Sequence, residues 1–304
     1  MPLISVCIPA YKNPGYLQRL LESISIQTFK DFEVIITDDS PDNLLQPIID
    51  SYKNLFKLIY VRNDIALGTP ANWNFAISKA NGDWIKLMHN DDWFAKKSSL
   101  EVFAAAALGN NANFIFSGFS EIKNDTIKKE YIISAVEKKL LKRTALNLFK
   151  KNFIGPPSTT LIKNDHVNWY DTKVKWVVDF EFYIRCLKQT VFFSINEPLI
   201  NIGIHDDQVT KHVFGKPEIE IPENIYLLNK IGVKSLDNIF VYDYYWRLFR
   251  NLSIRTIKEV SSISNTDELP SEIIRMLIFQ FKIPLPVLRI GLFSKCFMML
   301  AKMF

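Results

Sequence analysis

The chain has 304 residues, 48% of them apolar, 23% charged and 13% aromatic. That length is enough to bury a substantial core, and that composition excludes a disordered chain. The formal net charge of +5 suits an anionic small molecule or an anionic membrane surface, and it is too small and too dispersed to indicate nucleic acid.

The N-terminus lacks the basic and long apolar regions of a signal peptide, so none is expected. Residues Leu3 to Pro9 form a β-branched run that reads as a buried strand. From Gly15 onward, Tyr16, Leu17, Leu20, Leu21 and Ile24 share one helical face. Phe32 to Thr37 reads as a second strand, stopped by the turn formers Asp38-Asp39-Ser40-Pro41-Asp42. Next come a helix over 44–52, a strand at 57–61 and a helix over 69–79 closed by Asn81-Gly82. A strand at 84–88 then runs into His89-Asn90-Asp91-Asp92.

This alternation predicts an α/β fold with a mostly parallel sheet covered on both faces. Ligands of such sheets bind beyond the carboxyl ends of the strands. Three of those ends carry Pro9-Ala10-Tyr11, Asp38-Asp39 and Asp91-Asp92. Beyond residue 100 the pattern loosens. A strand is expected at 114–116, an exposed charge-rich hairpin or loop over 121–143, a helical stretch near 179–187 and a strand near 191–195. After about 216 the chain reads as helical, with Tyr242, Tyr245, Trp246 and Phe249 on one side. No run of about 18–20 uncharged apolar residues occurs, so no spanning helix is expected. Cys7, Cys186 and Cys296 are odd in number and widely spaced, which disfavours a disulfide framework and a zinc ribbon and points to a reducing compartment.

Several residues can carry chemistry. Asp91 and Asp92 at a strand end can hold a hard divalent cation that bridges a diphosphate; acid pairs of this kind also serve as turn or helix caps. Asp38 and Asp39 can accept from a base N–H or from ribose hydroxyls, or can form a capped turn. Asp179 interrupts a hydrophobic segment, where a carboxyl has a raised pKa and suits a general base; it can equally N-cap the helix behind it. His205 can ligate a metal or donate to a phosphate, or can be a structural loop histidine. His89 can reach phosphate or ribose, or only pack. The ten glycines contain no GxG, so the dinucleotide fingerprint and the P-loop are both missing. A metal held by carboxylates is the natural substitute for a glycine-rich phosphate cradle.

Four blocks stand in a recognisable order. Ile4-Ser5-Val6-Cys7-Ile8-Pro9-Ala10-Tyr11-Lys12-Asn13 is followed by Leu20-Leu21-Glu22-Ser23-Ile24 and Gln27-Thr28-Phe29. The other three are Phe32 to Ser40, then Gly68 to Asn74 with Ala80 to Ile85, then His89-Asn90-Asp91-Asp92 in the place of a DxDD motif. Together they resemble glycosyltransferase family 2 over residues 3–210.

The resemblance implies a GT-A fold, a Rossmann-like mixed sheet flanked by helices with a helical C-terminal extension. It places a catalytic domain at 1–215, with a nucleotide-sugar half over about 1–98 and an acceptor half over about 99–215. A mainly helical region covers 216–304. It further implies inverting transfer from a nucleotide diphosphate sugar to a glycan or lipid-linked saccharide hydroxyl, helped by Mn²⁺ or Mg²⁺, in bacterial surface polysaccharide assembly. By family habit the nucleotide is uridine diphosphate, with thymidine and guanosine diphosphates as alternatives.

Pro9, Ala10 and Tyr11 would line the nucleotide pocket, and Asp39 would contact the base with Asp38 beside it. Asn74, His89 and Asn90 would complete the nucleotide-sugar set. Asp91 would hold the metal, joined by a His205 that closes over the diphosphate, and Asp179 would be the catalytic base. Two positions depart from the family pattern: His89 replaces the first acid of the DxD, and Val178 replaces a Glu before the base. These departures leave room for a non-catalytic binding protein. A nucleotidyltransferase is the other rival, though it would want a glycine-rich loop with a basic residue after strand one. The tail from Ile283, interrupted by Arg289, Lys295 and Lys302, can lie in an anionic membrane interface, pack on the catalytic domain or form a homodimer interface. The expected location is cytoplasmic, peripheral to the inner membrane.

Overall fold

All seven residues of β1 (Ile4–Ala10) are buried, so the strand carries no polar-apolar alternation: helices cover both faces of its sheet. In the computed structural model, which describes residues 1–165, 169–205, 213–264 and 268–303, the chain forms two compact units interleaved along the sequence. The first comprises 1–138, 153–172 and 185–206; the second comprises 139–152, 173–184 and 207–304. The second unit thus takes two segments from inside the stretch 1–215 that sequence reading kept whole.

The first unit holds the sheet. β1 is followed by α1 (Pro14–Ser25), β2 (Phe32–Asp38), α2 (Gln46–Tyr52), β3 (Leu58–Arg62), α3 (Ala71–Ser78) and β4 (Trp84–Leu87). β1 lies between β2 and β4, and β3 flanks β2, all parallel, with Ile4 beside Phe32 and Trp84. Leu17, Leu20, Leu21 and Ile24 of α1 are buried as their spacing predicts, each stabilising the core by about 1.5–3 kcal/mol.

The remainder is mixed. β5 (Trp93–Phe94), α4 (Ser99–Gly109), β6 (Phe114–Lys123), β7 (Thr126–Tyr131), β8 (Thr160–Lys163) and β9 (Phe192–Gly203) complete a sheet of order β3-β2-β1-β4-β8-β6-β9-β5, with β7 on β6. β8 runs antiparallel to β4 and β6, whereas β6 and β9 are parallel. β1 to β4 are parallel, as their alternation with helices predicts, and the whole sheet is mixed, as the family resemblance implies, because β5, β7 and β8 run in the reverse direction.

Two expectations need correction. The stretch 121–143 is not simply an exposed hairpin or loop. Its first part is a hairpin turning at Asn124 and Asp125, both in the left-handed region at φ 50° and 55°. Its second part is a helix, α5 (Ala135–Arg143). A capping box starts that helix: Glu137 accepts from the Ser134 N–H at 2.9 Å, and the Glu137 N–H donates to Ser134 Oγ at 3.2 Å. The Ser-x-x-Glu signal was in the sequence, under a run of charge. Second, the strand expected near 191–195 continues to Gly203, because its partner β6 is ten residues long and pairs with it throughout.

In the second unit, the end of α6 (Val178–Leu187) excepted, the C-terminal chain is helical as expected: α7 (Pro217–Ile231), α8 (Ile239–Asn251), α9 (Ile257–Ser264), α10 (Ser271–Phe281), α11 (Leu285–Leu288) and α12 (Gly291–Met303). Tyr242, Tyr245, Trp246 and Phe249 of α8 are its buried face. No helix among the described residues is long and apolar enough to cross a membrane.

Candidate active site

The acids after β4 are held by β9. β5 pairs Trp93 with Asn201 and Phe94 with Ile200, so the chain at 91–92 lies against the end of β9. A Cβ built on Gly203 would stand 2.5 Å from the Asp91 carbonyl oxygen, so only glycine permits this approach. The Gly203 N–H donates to Asp92 Oδ1 at 3.3 Å. Two residues further on, His205 Nε2 lies 2.8 Å from Asp91 Oδ2, with the Tyr16 ring 4.8 Å from the imidazole. His89 is backed in the same way by Trp73, ring centroids 4.8 Å apart.

His89, Asp91 and Asp92 bring one donor atom each within 4.8 Å of one another. His89 Nδ1 is 3.8 Å from Asp92 Oδ2, and buried His89 Nε2, Asn90 Nδ2 and His205 Nδ1 have no hydrogen-bond partner among the described residues. Burial, with the adjacent Asp91 charge, pushes the Asp92 carboxyl well above the usual carboxylate range. Burial also holds the His89 imidazole below its ordinary value, against the opposing pull of Asp91. Two closely spaced carboxylates beside an imidazole that burial holds toward its neutral form fit a divalent cation such as Mn²⁺. Asp92, which sequence reading paired with Asp91 as a possible cation ligand, and His89, which it gave to the nucleotide-sugar, therefore join Asp91 as candidate ligands. His205 adjoins the cluster through Asp91.

Beneath the cluster lies Lys86 of β4, fully buried. Its Nζ donates to the Ser158 carbonyl and, at 3.2 Å, to that of Thr160. Burial holds its amine well below the usual lysine range. Ser158 Oγ accepts the His89 N–H at 3.0 Å, and its side chain also bonds the Asp92 carboxylate. Lys86 and Ser158 thus hold the acidic turn from below. An apolar strand pattern gave no sign of this lysine.

The end of β2 is different. Asp39 Oδ1 accepts from Asn63 Nδ2 at 2.6 Å and from the Leu67 N–H at 3.0 Å, and Oδ2 accepts from the Gly68 N–H at 2.8 Å. Asp38 accepts from the Ser40 N–H at 2.8 Å and from the Tyr60 hydroxyl at 3.0 Å. These acids shape the loop 63–68 beside β1, where Pro9 and Ala10 are buried and Tyr11 is half exposed. Asn74 is engaged as well: its amide donates to the Tyr170 carbonyl at 2.7 Å and accepts the Tyr170 N–H at 3.0 Å.

Asp179 belongs to the second unit. It lies in the first turn of α6, not at its N-cap. The Glu223 carboxylate caps that helix, accepting the N–H groups of Lys175, Trp176 and Val177 at 3.0, 2.7 and 3.2 Å. Phe180 clusters with Phe149 and Tyr244, ring centroids 5.7 and 6.3 Å away. Asp179 accepts from Asn152 Nδ2 at 3.2 Å and from the Phe180 N–H at 2.9 Å. Burial nevertheless raises its carboxyl to about 6, with backbone hydrogen bonds opposing the rise.

A sequence profile described as glycosyl transferase family 2 matches residues 5–168. The chain belongs to this family. An uncharacterized glycosyltransferase of Methanocaldococcus jannaschii is 32% identical over 205 residues, 66% of this chain and 69% of its own length. The Escherichia coli UDP-Glc:alpha-D-GlcNAc-diphosphoundecaprenol beta-1,3-glucosyltransferase WfgD is 26% identical over 176 residues, covering 55% of this chain and 68% of its own. In fold, the chain is similar to S. aureus TarS 1-349 in complex with UDP-GlcNAc, with a TM-score of 0.65, 18% identity, and coverage of 90% of this chain and 78% of that one. The architecture is that of GT-A enzymes. As a family 2 glycosyltransferase, the chain uses a nucleotide-sugar donor, which sets aside the nucleotidyltransferase and the inactive binding protein.

Proposed function

We propose that this glycosyltransferase inverts the anomeric centre of a UDP-sugar as it passes the sugar to a lipid-linked saccharide in bacterial surface glycan assembly, with Mn²⁺ or Mg²⁺ at the acids after β4. The cluster of His89, Asp91 and Asp92, with buried nitrogen atoms that lack partners among the described residues, carries the reading. Asp91, Asp92 and His89 would hold the ion, with His205 beside them. When bound, it would supply positive charge to the departing diphosphate. Tyr11 and Asn90 would serve the nucleotide-sugar, with Asp38 and Asp39 holding the loop 63–68 beside it.

Asp179 acts as the base: it takes the proton of the acceptor hydroxyl while that oxygen bonds to the anomeric carbon and the nucleoside diphosphate leaves with the old bond's electrons. A carboxyl with a pKa of about 6 is ionised at neutral pH yet basic enough for this transfer. The likeness to WfgD, whose name specifies UDP-glucose and a diphosphoundecaprenol acceptor, supports the UDP donor and the lipid-linked acceptor. That acceptor favours a cytoplasmic protein in peripheral contact with the membrane.

Calorimetric titration of UDP with Mn²⁺ and with EDTA, in wild type and Asp91→Ala, tests the metal reading. Affinity should rise with Mn²⁺ in the wild type and be indifferent to it in the variant. Equal titrations in all four arms would remove the ion from the site.

A further inference from the structure

Helix α12 is apolar on its outer face as well as on its inner one. It buries Ser294, Met298 and Ala301. It leaves Leu292, Phe293, Cys296, Met299, Leu300 and Met303 exposed, Leu292 by 74% and Met303 by 80%. At about 100° per residue, this exposed set falls within an arc of roughly 120°, opposite the buried one. The helix is nonetheless well anchored in its unit. Ser294 Oγ accepts from Trp246 Nε1 at 2.9 Å and from Arg250 Nη1 at 3.0 Å, and Lys302 Nζ donates to the Leu236 carbonyl at 2.7 Å. Polar contacts thus hold the inner face while the larger apolar side chains point away, a pattern that marks an interaction site.

Charge selects the partner. After Glu272 the sequence has no acidic residue, while Arg275, Lys282, Arg289, Lys295 and Lys302 are basic. Arg289 and Lys295 are exposed at and beside the apolar stripe. In a two-fold contact through this stripe, Arg289 and Lys295 would face their own copies, and α12 itself carries no acid to offset them. An anionic bilayer offers both an apolar boundary and negative headgroups.

We propose that the outer face of α12 docks into the interface of an anionic bilayer, with Leu292, Phe293, Met299, Leu300 and Met303 in the acyl boundary and Arg289 and Lys295 against the headgroups. The proposed lipid-linked acceptor gives this surface its purpose, but the binding itself is measurable apart from it.

The full chain should float with phosphatidylglycerol vesicles and remain behind with phosphatidylcholine vesicles. Replacing both Leu292→Glu and Phe293→Glu should reduce partition at least about tenfold, because two exposed anchors are lost. Arg289→Gln with Lys295→Gln should reduce it by roughly fivefold per charge at low salt. Release of UDP from donor sugars should be unchanged in both variants, so a failure of the catalytic reading would show there and not in flotation. Absence of flotation with phosphatidylglycerol overturns the proposal. So does equal flotation on both lipids, or partition indifferent to the acidic pair of substitutions.

Discussion

The ends of β2 and β4 both carry a pair of aspartates, and the fold treats the pairs in opposite ways. Asp38 and Asp39 accept five hydrogen bonds from Ser40, Tyr60, Asn63, Leu67 and Gly68. They are the pegs on which the neighbouring loop hangs. Asp91 and Asp92 are drawn together beside buried histidine nitrogen atoms without partners among the described residues, and Asp92 is pushed toward its protonated form. Among those residues Asp91 and Asp92 together have at most three donors, from His205, Gly203 and Ser158, so the supply of donors to each pair, more than its place at a strand end, separates acids that shape the site from acids available to a ligand. Asp179 also has two donors, and burial still raises its carboxyl to about 6.

The largest test of this ordering is Asp179→Asn, which should lower kcat by about 10²–10⁴-fold with UDP affinity retained. In the wild type, kcat should rise with pH through an apparent value of about 6, since the base acts only when ionised. The variant should lose that acidic limb; a retained limb would assign the titration to another group. Stability has the opposite slope. The folded pKa lies above the ordinary 3.8, so this carboxyl's contribution to stability falls as pH rises from about 4 to about 6.

Next in size is Gly203→Ala. Its new methyl would meet the Asp91 carbonyl oxygen, so the acidic turn or the end of β9 must move. Overpacking of this kind costs about 1–3 kcal/mol in denaturant unfolding. It should also weaken Mn²⁺-dependent UDP binding, which a purely structural glycine would leave intact.

Asp39→Asn should sharpen the contrast from the other side. An amide nitrogen would face the N–H of Leu67 or that of Gly68, depending on its orientation, so chemical denaturation should show a loss of about 1–3 kcal/mol. Asp91→Ala, with one histidine partner to lose, should unfold nearly as the wild type does. If the two variants changed places in stability, the comparison would fail. The smallest effect concerns protons. Mn²⁺ binding should strengthen as pH rises and release protons, because a raised Asp92 must ionise to ligate. Calorimetry in two buffers of different ionisation enthalpy would detect that release.

Much of the first unit was legible in the sequence, because parallel strands buried on both faces appear as unbroken apolar runs. The boundaries of β1, β2, β3, α1 and α3 fall within two residues of their expected places. Asp91 was legible as a candidate ligand because its block stands in the DxDD place of the family's motif order. The helix α5 was missed although its capping box was present, since Leu141 is its sole buried apolar anchor. Lys86, Ser158 and Glu223 were missed for another reason: each acts through backbone groups distant in sequence, and no local pattern announces such a partner.

The sequence alone determined the alternating elements, the acids at their ends and the family, because periodicity and motif order are local properties of the chain. Only the tertiary structure decided which acid does what. That depended on β9 running on to Gly203, on β5 pairing with it, and on which N–H groups the folded chain brings to each carboxylate. Donors and desolvation are set by neighbours far away in sequence. Two Asp-Asp pairs that look alike in the chain are therefore different chemical groups in the molecule.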